Sequence, residues 1–248
     1  MVDLDGLGLL ARPAGGRVNP LLARIGRRYA AWRVGRDLDG LHVAGHLGLQ
    51  QALESGPVLI VANHVAWWDG VVALALGQAL GAEVGLVARG ETLSTYPWMR
   101  SFGVFPLHSG LRLRASLRQA GAFLDRPGRM LWYFPQGRQR PDAVRPLGFQ
   151  PGITAFARGL GAAVVPTSLA YPFREVEVPA AALVFGGPVA ADAVGAVEGE
   201  VIEGLGAIQR WADGAPNGRD PTLHPLLPSK RQPAQLGAGA RLLAGVFP

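Results

Sequence analysis

The sequence predicts an α/β fold, with a mostly parallel central sheet flanked by helices and an N-terminal amphipathic helical element. Three observations carry that prediction. Apolar runs recur at 58–62, 84–88 and 130–134, without the alternation of a half-exposed strand, and 163–169 reads as another buried strand; strands buried on both faces of a parallel sheet read this way. Segments of helical periodicity separate those runs, the order expected of strand–helix–strand units. Apolar residues make up 49% of the 248, so covering both faces of a sheet presents no difficulty.

In chain order, residues 1–16 are rich in Gly and Pro and read as a poorly ordered tail. Residues 17–37 read as a helix. Asn19-Pro20 offers an N-cap followed by Pro at the first helical position. Leu21, Leu22, Ile25, Tyr29, Trp32 and Val34 fall roughly along one side, with Arg24, Arg27, Arg28, Arg33 and Arg36 beside them. A basic amphipathic helix carrying Tyr and Trp suits an anionic membrane surface; the alternative is a helix packed on the domain with its arginines in water. A short strand follows at 41–45, a helix at 47–54 and a turn at Gly56-Pro57. The buried strand 58–62 leads into a helix at 67–80. Next come a strand at 84–88, a helix at 93–102 and a strand at 104–107. Ser109 is placed to cap a helix running to 124. Strand 130–134, helix 151–160 and strand 163–169 continue the alternation. A late strand at 183–186, a long helix at 191–211, a loop or linker at 214–233 and a closing helix at 234–245 complete it.

Lys and Arg outnumber Asp and Glu by 24 to 18, a formal net charge of +6, and Lys230 is the single lysine. Two compatible causes stand for the arginines: a coding bias that turns Lys into Arg, and recognition of anions, which guanidinium grips bidentately. Their placement matters more, since eleven arginines lie between 89 and 158 against Glu91, Asp125 and Asp142. A cleft lined with that charge attracts an anionic substrate. A nucleic-acid partner is not expected, because the arginines are not interleaved with aromatic stacking residues. There is no cysteine, which removes disulfides, thiolate nucleophiles and Cys-based metal sites. The acidic start, Met1-Val2-Asp3-Leu4-Asp5, is not a signal peptide, and no apolar run approaches the roughly 20 residues that span a bilayer. The expected location is cytoplasmic, peripheral on the cytoplasmic face of the membrane.

Three segments at strand ends carry the chemistry, where α/β folds place their sites. The first is Asn63-His64-Val65-Ala66-Trp67-Trp68-Asp69. A carboxylate five residues beyond an imidazole can hold one ring N–H and leave the other nitrogen to take a proton. No Ser or Cys stands nearby as a nucleophile, so the hydroxyl belongs to a substrate. The second is Phe134-Pro135-Gln136-Gly137-Arg138-Gln139-Arg140, where Gly permits close backbone approach and the arginines offer donors to a phosphate. The third runs from Gly103 through His108 to Arg112 and Arg114.

Together these segments resemble the glycerophosphate/lysophosphatidate acyltransferase superfamily. Residues 58–69 resemble its His-x4-Asp block, Phe102-Gly103-Val104-Phe105-Pro106-Leu107-His108 its second block, and Phe134-Pro135-Gln136-Gly137 its Phe-Pro-Glu-Gly-Thr-Arg block. Phe149-Gln150-Pro151-Gly152 and Val164-Val165-Pro166 follow at familiar spacing. The resemblance covers roughly residues 40–190. It implies a division into a tail and membrane-docking helix (1–37), an acyltransferase domain (38–213) and a Pro/Gly-rich loop with C-terminal helix (214–248).

The resemblance implies an O-acyltransferase of lipid metabolism. Its catalytic residues would be His64 and Asp69, and its substrate-binding residues Asn63, His108, Arg112, Gln136, Gly137, Arg138, Arg140 and Pro166. The acyl donor would be acyl-CoA or acyl-carrier protein, used as co-substrate with no metal and no resident cofactor, and the acceptor a lipid drawn from the membrane by residues 17–37. The chain departs from the family in its acceptor blocks: Gln136 stands where Glu is usual, Arg138 for Thr, Gln139 for Arg, and His108 for the basic residue of the second block. Two acceptor classes stay open, a lysophospholipid or glycerolipid held by Arg138 or Arg140, and a glycolipid or glycosylated terpenoid whose sugar hydroxyl meets the Gln136 amide. The rival functions are a non-catalytic lipid-binding protein of the same fold and an acyl-thioester hydrolase.

Overall fold

The structure, a computed structural model, describes residues 18–108, 110–150, 152–174, 176–189 and 196–230. It opens with helix α1 (Pro20–Asp37). The Asn19 side chain accepts hydrogen bonds from the Leu21 and Leu22 amides at 3.0 and 3.2 Å, and Pro20 occupies the first turn, where its missing N–H costs nothing. Then follow β1 (Leu41–Ala44), α2 (His46–Ser55), β2 (Val58–Ala62), α3 (Trp68–Leu80), β3 (Glu83–Arg89), α4 (Gly90–Thr95) and β4 (Val104–Leu107). The second half supplies α5 (Leu113–Phe123), β5 (Arg129–Tyr133), α6 (Ile153–Leu160), β6 (Ala163–Ala170), β7 (Ala181–Phe185), α7 (Val197–Ala212) and β8 (His224–Leu227).

The strands form one eight-stranded sheet in the order β4-β3-β5-β2-β6-β7-β1-β8. The run from β4 to β6 is parallel throughout, β7 runs antiparallel to β6, and β1 lies parallel to β7. Strand β2 is fully buried and is flanked by β5 and β6. Alternate residues of these strands feed two cores. One gathers Leu49, Leu76, Trp132 and Leu183 with α1, α2 and α3; the other gathers Leu59, Phe123, Phe156 and Leu205 with α5, α6 and α7. The expected α/β/α layering is therefore present, with all the C-terminal ends of the parallel run on one edge.

Several elements differ from expectation. The helix expected over 93–102 stops at Thr95 and resumes as a 3-10 turn, Pro97–Phe102, because Pro97 has no N–H to continue an α-helix. The strand expected at 183–186 begins at Ala181 and pairs antiparallel. The segment expected as a loop at 214–233 contributes β8, paired antiparallel with β1. Helix α5 starts at Leu113, after a 3-10 turn at Gly110–Arg112. Ser109, Pro151, residues 190–195, the 1–16 tail and the closing helix expected at 234–245 lie outside the described residues.

The apolar side expected on α1 divides. Ala23, Ala30, Val34 and Gly35 are buried; the helix packs on α3, Gly35 stands against Pro228 and Lys230, and a Cβ on Gly26 would sit 2.8 Å from the Phe102 ring. Small residues permit that close approach, and the large ones point outward: Leu21 is 59%, Ile25 52%, Tyr29 55% and Trp32 41% exposed. Among the described residues no helix is long and apolar enough to cross a membrane.

One position tests the packing of α3 on the sheet. A Cβ on Gly77 would lie 2.1 Å from Cγ2 of Val84 in β3. Gly to Ala inside a helix ordinarily stabilises by about 1 kcal/mol; Gly77→Ala is expected to destabilise by about 1–3 kcal/mol, the cost of overpacking, read from urea unfolding.

Candidate active site

The site is built where β2 runs out. Its ladder partners end at Tyr133 on the β5 side and Thr167 on the β6 side. Beyond that point the main chain would lose its hydrogen bonds, and side-chain amides replace them. On the β6 side the Asn63 amide donates to the Leu169 carbonyl and accepts from the Leu169 N–H, both at 2.8 Å. On the β5 side Gln136 accepts from the His64 N–H and donates to the Leu147 carbonyl at 3.0 Å. The His64 carbonyl accepts from the Arg140 N–H at 2.8 Å. Both main-chain groups of His64 are thus held by the loop after β5.

The His64 imidazole is fixed on its edge and its face. Nδ1 lies 2.6 Å from Oδ2 of Asp69. An ionised carboxylate only accepts, so Nδ1 carries the proton and Nε2 is the basic nitrogen. The ring stacks on Phe134 with centroids 4.6 Å apart, and its side chain keeps 23% of its surface exposed. Asp69, by contrast, is fully buried. It stands in the first turn of α3, where the helix dipole favours a negative charge. Besides the imidazole it accepts from the Val65 N–H at 2.7 Å, the Ala66 N–H at 3.1 Å and the Tyr171 hydroxyl at 2.8 Å. A buried charge without a cation requires such a shell of donors. Burial first, and the Asp69 charge second, push the Tyr171 phenol well above its ordinary value, so it stays a donor.

The other expected site residues separate into groups. The Asn63 and Gln136 amides, expected to face substrate, are occupied at both ends within the protein. The Arg140 guanidinium turns inward to the Leu147 carbonyl, 3.3 Å away. Gly137 adopts φ +63, and an added Cβ would lie 3.3 Å from an Arg89 guanidinium nitrogen; its lack of a side chain admits Arg89, at the end of β3, to the loop after β5. Arg138 and Arg112 are exposed. His108 follows β4, with its N–H donating to Ser116 Oγ at 3.0 Å and its imidazole packed on Gly90. Pro166 lies inside β6, three residues before Leu169. It lines a cavity of about 500 Å³ between β6, β7 and α7, together with Glu200, Arg210 and Asp220; neither His64 nor Asp69 lines that cavity.

Three contributors were not singled out from the sequence. Tyr171 lies just past β6, and a tyrosine ending a strand beside β2 was the available signal. Arg89 ends β3 in the same manner. Leu147 acts through its carbonyl, which no residue type announces.

The sequence matches the Acyltransferase family over residues 45–170. Among solved structures, the chain is similar to the 1-acyl-sn-glycerophosphate (LPA) acyltransferase PlsC from Thermotoga maritima. The identity is 18%, the coverage 76% of this chain and 78% of that one, and the TM-score 0.54, a likeness of fold. No curated protein matches.

Tyr171→Phe removes one donor from a buried carboxylate and is expected to cost about 1.5–3 kcal/mol of stability at neutral pH. The raised phenol pKa means that the folded state keeps a proton that an unfolded chain loses above about pH 10. That contribution is complete below pH 10 and falls as pH rises. Urea unfolding between pH 7 and 11 should show the gap between wild type and variant narrowing at the alkaline end.

Proposed function

The chain belongs to the acyltransferase family, and from that premise we propose that it moves a fatty acyl group from a thioester to a hydroxyl of a lipid acceptor, with His64 as general base. The supporting observation is the His64–Asp69 pair: Nδ1 is bound by a buried carboxylate, and Nε2 is left on the solvent side. The acceptor hydroxyl gives its proton to Nε2 as its oxygen attacks the thioester carbonyl carbon. The tetrahedral intermediate then expels the sulfur, which takes the proton back from the imidazolium and leaves as the thiol. Asp69 holds the tautomer and stabilises the imidazolium. The donor is acyl-CoA or acyl-carrier protein, and no metal or prosthetic group is needed.

Arg89, His108, Arg112 and Arg138 stand at or beyond strand ends on the β5–β3–β4 side of His64, and among the described residues none of these arginines has an acidic partner. We assign this side to the anionic group of the substrate, which favours a phosphorylated acceptor of the lysophospholipid or glycerolipid type. The match to a lysophosphatidate acyltransferase agrees with that choice. A sugar acceptor recognised by Gln136 loses its support, because that amide is already engaged.

Helix α1 is the proposed contact with the membrane. Its outward side carries Leu21, Ile25, Tyr29 and Trp32 with exposed Arg24, Arg28 and Arg36 between them, apolar area and positive charge suited to an anionic lipid surface. Trp67, in the catalytic loop, is 60% exposed. The Arg33 guanidinium lies 5.1 Å from the Trp68 ring and 6.0 Å from Trp67, so the helix face and the loop are joined.

Thiol release from acyl-CoA, measured with and without a panel of lysophospholipids, tests the reaction. It should depend on acceptor, and His64→Ala should lower it by about a hundred- to ten-thousandfold, the usual contribution of a general base. Release without acceptor would indicate a hydrolase, and no turnover with either donor a lipid-binding protein. For docking, Arg24→Gln with Arg28→Gln is expected to weaken binding to phosphatidylglycerol vesicles by about 1 kcal/mol per arginine, more so at low salt. Unchanged co-sedimentation would place the contact elsewhere.

A further inference from the structure

We propose that Gln136 is a positioning residue for His64, not a ligand of the acyl acceptor, and that the Leu147 carbonyl is what requires an amide at this position. The inference rests on the acyl-transfer reading above and adds a role to it. The loop after β5 is closed on itself. The Gln150 N–H donates to the Pro135 carbonyl at 3.0 Å, and the Gln136 amide spans the interior from the His64 N–H to the Leu147 carbonyl. Gln136 is only 5% exposed. Each end of its amide thus meets a main-chain group of fixed polarity, a donor on one side and an acceptor on the other. A carboxylate serves the first and opposes the second, since it has no hydrogen to give. A protonated carboxyl serves both.

The charged surroundings decide how a carboxyl would behave. Arg140 reaches the same Leu147 carbonyl. Glu198 binds the next two amides, those of Gly148 and Phe149, at 2.9 and 3.1 Å. Arg89 lies over Gly137, and His64 with Asp69 closes the remaining side. In Gln136→Glu, burial, the Leu147 carbonyl and Glu198 favour the protonated form, against Arg140 and Arg89. That variant is therefore a titratable copy of the wild-type clamp: competent while its carboxyl is protonated and impaired once it ionises. Gln136→Leu removes the clamp at every pH.

The experiment compares wild type, Gln136→Glu and Gln136→Leu by acceptor-dependent thiol release from acyl-CoA across pH, together with the His64 amide resonance in 15N-labelled protein. Gln136→Glu should approach wild-type kcat at the acid end of the active range and lose activity as pH rises, a limb that wild type lacks. Gln136→Leu should lose about a hundredfold in kcat, the scale of a small misplacement of a reacting group, with both KM values within about threefold. Its His64 amide proton should move upfield, as a lost hydrogen bond requires. A Gln136→Leu enzyme that keeps kcat and loses acceptor KM overturns the proposal in favour of a substrate ligand. A Gln136→Glu profile parallel to wild type, or an unmoved His64 amide, also overturns it. Failure of the acyl-transfer reading looks different: wild type and His64→Ala would then be equally inactive, while the amide resonance still reports on the clamp.

Discussion

The structure depends on keeping the Asp69 carboxylate ionised out of water. It is fully buried and, among the described residues, has no lysine or arginine paired with it; its compensation comes from two main-chain amides, a phenol and an imidazole N–H. Each donor comes from a different requirement of the fold. Val65 and Ala66 supply theirs because the chain between β2 and α3 wraps around the carboxylate before entering the helix. Tyr171 supplies its hydroxyl because β6 lies beside β2. His64 supplies Nδ1–H because its own main chain is held from the other side. Losing any one leaves a buried charge partly unpaired, which is far costlier than losing a neutral hydrogen bond.

The strand order explains how so many donors converge. The chain leaves β2, builds β3 and β4 outward, then returns to insert β5 next to β2 before placing β6 on its other side. The residues that outrun β2 therefore meet the ends of two strands distant in sequence. Asn63 reaches 106 residues ahead to Leu169, and His64 reaches 72 residues ahead to Gln136. Two carboxamides continue the ladder where β geometry stops. Both partners they meet are main-chain groups, which fixes position whatever side chains the neighbouring strands carry.

Much of this was legible in the sequence, and the remainder was hidden for physical reasons. Strands β2 and β5 announced themselves because burial on both faces leaves a nearly unbroken apolar run, and β6 did so through Ala163-Val164-Val165 despite its buried Thr167 and Ser168. Strand β8 did not: His224-Pro225-Leu226-Leu227 pairs on one side only, its first two residues are exposed, and Pro is tolerated there because an edge strand has a free side. The division of α1 was equally hidden, since periodicity finds a stripe but not which side of it the protein covers; the small residues Ala23, Gly26 and Ala30 were the better guide. At the site, the spacing of His64 and Asp69 was readable because both act through side chains. The partners of Gln136 were hidden because an amide carries the same atoms whether it faces a sugar hydroxyl or the backbone, and the group it donates to, the Leu147 carbonyl, is one that every residue has.

The relation between α1 and the catalytic loop follows from the same economy of small residues. Because α1 packs closely on α3, Arg33 can bond the Tyr29 hydroxyl at 3.2 Å while covering Trp68. Trp68 immediately precedes Asp69. On the proposed reaction, a lipid acceptor held in a bilayer presents its hydroxyl at a set depth, where the His64 imidazole meets it. On the proposed docking, the outward side of α1 sets the depth of the protein, and the packing of α1 on α3 carries that depth to the turn holding Asp69 and so to His64. A side chain at position 26 would meet the Phe102 ring and push α1, with its proposed docking face, away from the site.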